Sequence, residues 1–103
     1  MRVVKEDESY RALHITGPTT NLLRLRFGAG PLEVVGLGGG DAPARVDAED
    51  VRREVEDAVT AFNQAEGTGH QLCRIEFVVT DTPQDGIYAR LAQAILRKAT
   101  AEG

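Results

Sequence analysis

Few side chains in this sequence could do chemistry. Among 103 residues there are two histidines, His14 and His70, one cysteine, Cys73, and one serine, Ser9. A histidine acting as a general base needs a positioned partner and a pocket, and the residues around His14 announce neither. His70 follows "EGTG" and reads as an exposed turn residue. Two unclustered histidines and one cysteine cannot supply the usual structural zinc ligands. Cys73 lies on the apolar side of a strand-like run, where a thiol behaves as a small, inert core residue. The only serine has no Gly-x-Ser-x-Gly elbow around it. The run "GLGGGD" (36–41) resembles a phosphate loop only in its glycines. Asp41 stands where Lys-Ser/Thr would be required, and the run reads as a flexible connector. No catalytic residue, cofactor or metal is assigned.

The arginines carry more information. Arg24 and Arg26 share one phase of "LLRLRF" (22–27), and Arg74 has the outward phase of "QLCRIEFVVT" (71–80). If these strands are neighbours, three guanidiniums converge with His14 on an exposed sheet face, as a candidate partner-binding surface for an acidic protein or RNA. The competing reading is that the arginine stems cover an open sheet face, paired with Glu76 and Glu33. With 12 Lys+Arg against 16 Asp+Glu the net charge is −4, and there is no tryptophan. Nucleic-acid binding by this chain alone is therefore disfavoured, because that affinity rests on neutralising phosphates. The carboxylates Glu49, Asp50, Glu54, Glu56 and Asp57 read as the solvated face of a helix.

Behind these residues the chain spells out one domain of regular elements. Strands are expected at 11–16, 22–27, 32–37 and 71–80, with "RVVK" as a short extra edge strand. Leu13 and Ile15 are read as opposite in phase to Ala12, His14 and Thr16, leaving His14 outward. "GAGP" (28–31) reads as a hairpin connection. A first helix follows Asp47 as N-cap, with Asp50 three residues on and Val46 and Val51 placed for a hydrophobic staple. Gly67 or Gly69 closes it. Thr82 followed by Pro83 is a second cap signal, Gly86 implies an irregular turn, and an apolar helical stripe runs from Ile87. The order β-β-β-α-β-α points to a two-layer α+β sandwich, with helices on one face of a mostly antiparallel sheet. No apolar run is long enough to span a bilayer. The charged start lacks a signal-peptide core, and the single cysteine suits a reducing compartment, so a cytoplasmic location is expected.

"VDAEDVRREVEDAV", a glycine-containing loop, "LCRIEFVVTD" and "ARLAQAILRKA" together resemble the end of domain IV of translation elongation factor G and the ribosomal protection proteins. The resemblance covers residues 46–100 and, loosely, 11–37. It implies a ribosomal protein S5 domain 2-like fold and a role in binding a protein partner or a ribosomal complex. No GTPase domain accompanies it, so no nucleotide hydrolysis is implied. The family's tip loops correspond to "TGPTTN" (16–21), with Thr19 and Thr20, and "DTPQDG" (81–86), with Asp81 and Asp85. Two functions are carried forward. The first is a non-enzymatic interaction module. The alternative is a small oligomeric enzyme or ligand-binding protein, with His14 and the arginines at a subunit interface. Leu22, Val35 and Val78 on the open face make a homodimer an expectation of either.

Overall fold

The computed structural model describes residues 1–16 and 19–102. The elements are β1 (Arg2–Glu6), β2 (Ser9–Thr16), β3 (Thr19–Phe27), β4 (Glu33–Leu37), α1 (Ala48–Glu66), β5 (Leu72–Val78) and α2 (Ile87–Glu102). The five strands form one sheet in the order β1-β2-β3-β5-β4. Every pairing is antiparallel except β4 with β5. The architecture is α+β, with the leading strand present.

One connection differs from the expectation. β3 and β4 do not form a hairpin, because β5 lies between them, antiparallel to β3 and parallel to β4. The glycines of 28–31 report that the chain turns. They carry no information about which strand fills the gap. β5 returns only after α1, the long crossover that a parallel pair requires.

The core lies between the sheet and the helices. On the sheet side, Ala12, Leu23, Leu25, Ile75 and Phe77 are buried; they meet Val51, Val55, Ala58 and Val59 of α1 and Leu91, Ala92, Ile95 and Leu96 of α2. Both helices show the spacing of a single buried stripe. Asp47 caps α1, accepting the Glu49 N–H at 2.9 Å, and Gly67 ends it with φ +67°. Asp50 does not close a reciprocal box; its carboxylate takes Arg53 at 2.9 Å instead. Val46 and Val51 are both buried in the core, consistent with a staple.

Thr82 does not begin the second helix. Gly86 has φ +73°, which no α-helix accommodates, so regular structure starts at Ile87. Two side-chain expectations also change. The β3–β5 register shifts between Arg26 and Phe27, skipping Cys73, which is left half-buried at the irregularity. His70 is not a free turn residue: its ring lies 5.3 Å from Phe27 and 5.9 Å from Phe62, and Nε2 is 2.8 Å from the Thr100 hydroxyl.

Candidate interaction surface

The sheet face away from the helices is uncovered within this chain. Alternation on each strand fixes its residues, and the register arranges them in rows across the sheet. Leu13 pairs with Leu22, Leu22 and Val78 lie one step beyond the Leu23–Phe77 pair, and Val78 pairs with Leu37. These four side chains make an apolar row across four strands, each partly buried, with the exposed Arg2 beyond Leu13 at its β1 end. Ile15, next along β2, is 61% exposed. The second row runs Val4, Arg11, Arg24, Glu76 and Val35, and the third Glu6, Ser9, Arg26, Arg74 and Glu33.

Arg24, Arg26 and Arg74 do converge on this face, as β3–β5 pairing requires. They arrive already neutralised. Arg24 lies 3.6 Å from Glu6 and 3.7 Å from Glu76. Arg74 lies 3.5 Å from Glu33 and 3.6 Å from Glu76, and Arg26 is paired with Glu8. Arg11 completes the mosaic at 3.5 Å from Glu6. Most of these are ion-pair rather than hydrogen-bond distances, and Arg24 Nε is shut off from solvent with no hydrogen-bond acceptor. The result is a face of interleaved signs beside an apolar row, with no basic patch.

His14 does not join them. It pairs with Asn21 in the Tyr10–Ala12–Leu23 phase, on the helix side of the sheet. The expectation inverted β2. Period-two alternation says which residues share a face, and only pairing says which face is the core. Ala12 beside Leu23 is the buried choice, and Leu13 and Ile15 go out. The constellation of His14 with the arginines is not assembled within one chain, because the sheet separates them.

The two expected tip loops meet at one end of the molecule, where Gly17 and Pro18 lie outside the described residues. Thr82 donates its N–H to the Thr20 carbonyl at 3.2 Å, and Asp81 accepts the Leu22 N–H at 2.8 Å. Asn21, fully buried, holds the junction: its amide donates to the Thr82 carbonyl at 2.7 Å, and its carbonyl accepts from Gln84 at 2.6 Å. Burial pushes the Asp81 carboxyl up, and the Leu22 N–H draws it partly back. Burial likewise raises the Tyr88 phenol, with Asp81 and Glu54 adding to the effect and Asn21 opposing it. Asp85 stays exposed, lining a cavity of about 190 Å³ with Arg45, Asp47, Asp50 and Glu54. Asn21 went unremarked in the sequence, although its phase in "NLLRLRF" with Leu23, Leu25 and Phe27 marks a polar residue directed inward.

A larger groove, about 610 Å³, opens beside the register shift and is lined by Arg26, Gly28, Cys73, Arg74, Glu8 and Glu33. Its charges are the same paired ones. Among the described residues no three His, Cys, Asp or Glu side chains gather as a metal site, and no helix is long and apolar enough to cross a membrane. No family model, curated protein or solved structure matches this chain.

Proposed function

We propose that this protein is a non-enzymatic interaction module that binds protein through the open face of its sheet. The row Leu13, Leu22, Val78 and Leu37, flanked by Ile15, Val4 and Val35, carries the reading. Scattered exposed aliphatics need no explanation, whereas a contiguous set marks a surface that another surface covers. The charged rows beside it supply the polar rim of such an interface. Pairing of Arg11, Arg24, Arg26 and Arg74 with glutamates favours protein over nucleic acid, whose phosphates require uncompensated cations.

The ribosomal protein S5 domain 2-like assignment is the finer form of the fold. It is supported by the run β2-β3-β4-α1-β5-α2, which has the order expected of that family. A ribosomal complex as the partner draws on a separate observation, the convergence of the 16–21 and 81–86 loops at one end. Capture from lysate by the immobilised chain, washed at low and high salt and read for protein and RNA, separates these readings. The open-face reading predicts a protein that is kept by the unmodified chain and lost with Leu22→Glu. Ribosomal proteins and RNA released by salt, and indifferent to Leu22→Glu, would move the site to the loop end.

A further inference from the structure

We infer that the free edge of β1 pairs with the β1 edge of a second copy of this chain, antiparallel, about a two-fold axis normal to the sheet at Val4. The inference is independent of what covers the open face.

β1 is an outer strand of the sheet, so one row of its backbone groups has no strand beside it. The phase of the β1–β2 ladder identifies them. Glu6 and Ser9 flank the two-residue turn Asp7–Glu8, where Asp7 has φ +54°. Such a turn makes its flanking residues a hydrogen-bonded pair. Counting back by twos, Glu6, Val4 and Arg2 turn their backbone groups toward β2. The N–H and C=O groups of Val3 and Lys5 point outward, and among the described residues no hydrogen bond from outside the ladder reaches them.

An added antiparallel strand must set outward groups opposite outward groups. For two copies of β1 the axis then passes through Val3, Val4 or Lys5. Through Lys5 it stacks two ammonium groups, and through Val3 it sets Arg2 beside an apolar Val4. Through Val4 the strand is complementary to itself. Val3 exchanges both backbone hydrogen bonds with the partner's Lys5, Val4 lies beside the partner's Val4, and Arg2 lies beside the partner's Glu6. The outer two pairings occur twice by symmetry.

The side chains are disposed for this register. Arg2 is exposed, and of the open-face arginines it alone has no ion pair among the described residues. Glu6 has Arg11 at 3.5 Å and Arg24 at 3.6 Å, neither a close hydrogen bond, and Arg24 is shared with Glu76. A lysine on an edge strand commonly guards it against pairing. The Lys5 ammonium instead lies 5.9 Å from the centroid of the Tyr10 ring, drawn over β2 and off the edge.

The other edge has no such match. The Leu37 carbonyl accepts the Val79 N–H at 3.1 Å, so Val34 and Gly36 carry the outward groups of β4. A two-fold through Val35 sets Glu33 beside Leu37 and brings no opposite charges together. One strand pair is well below the ~800 Å² per partner of a standard interface, so the β1 dimer is reversible and concentration-dependent. It leaves the apolar row uncovered and places two copies of it on one continuous sheet.

Sedimentation equilibrium of the full chain from low micromolar to near-millimolar concentration, with amide hydrogen exchange at both ends of that range, tests this. Arg2→Glu sets like charges side by side and is expected to weaken the dimer about tenfold or more. Lys5→Pro removes an outward donor while sparing the β1–β2 ladder and is expected to abolish the dimer over this range. Ile15→Lys on the open face is expected to leave it unchanged. On concentrating, the Val3 and Lys5 amides should slow in exchange while those of Val34 and Gly36 do not. Arg2 is exposed and unpaired, so its variant remains informative if Lys5→Pro does not fold. A monomer at every concentration would overturn the inference. So would a dimer indifferent to Arg2→Glu, or one weakened by Ile15→Lys with the Val3 and Lys5 amides still exchanging. None of these results touches the open-face reading, which capture by the unmodified chain and its loss with Leu22→Glu test separately.

Discussion

At the scale of single residues, the tightest constraints sit where Asn21 and Asp81 join strand to loop. Asn21 has no exposed surface and uses both ends of its amide, so the loop after β5 is fixed to β3 by groups that cannot turn to water. Asp81 is the costly member. Its carboxyl is raised by burial, meaning that the folded state holds the proton more tightly than the unfolded chain does. The stability this gives is complete below the ordinary aspartate value of about 3.9 and is lost as pH rises through the folded value. Asp81→Asn stays neutral and can still accept the Leu22 N–H. Its melting temperature relative to the unmodified protein is therefore expected to rise from acid to neutral pH. A difference that is flat or shrinks toward neutrality would show that the carboxylate is not the strained group. Neither residue stood out as structural in the sequence beyond turn chemistry, because their partners are about sixty positions away.

Elements were legible where their signals are local. α1 could be read from Asp47 to Gly67 because caps and the buried stripe lie within the segment itself. The face of β2 and the place of β5 were not, since both depend on pairing across the sheet. β4 shows how narrow the tolerance for that pairing is. Gly36 sits opposite Phe77, and a Cβ there would lie 2.5 Å from Val79 Cγ1 and 3.4 Å from the Phe77 ring. Val79 is stiff at χ1 and has little room to yield. Gly36→Ala is expected to cost about 1–3 kcal/mol of stability, the usual range for overpacking, measured by urea denaturation. A neutral result would mean that this edge strand shifts freely against β5. The connector after β4 adds a second constraint: Gly39 has φ +97°, and a Cβ there would come 2.8 Å from Val79 Cγ2.

For the whole molecule, the sheet has one face covered by two helices and the other left uncovered within the chain. Antiparallel sheets commonly leave one face to water, and then polar residues occupy it. Here the row from Leu13 to Leu37 breaks that pattern. The arginines expected on that face are present, and the histidine expected with them is not. The sequence thus conveyed the composition of the surface more accurately than its outline. Leu22 and Val78 were expected on that face, but Leu13 and Leu37 join them in a row only once four strands are in register.

That row is the central claim, and methyl NMR with a soluble paramagnetic agent examines it most directly. In dilute solution the methyls of Leu13, Ile15, Leu22, Val78 and Leu37 should be bleached by the agent along with the exposed Ala61 and Ala65 of α1. On adding a protein it captures, the row should become protected while Ala61 and Ala65 remain bleached. Protection that instead appears on α1 or around the 81–86 loop, with the row still bleached, would contradict the account.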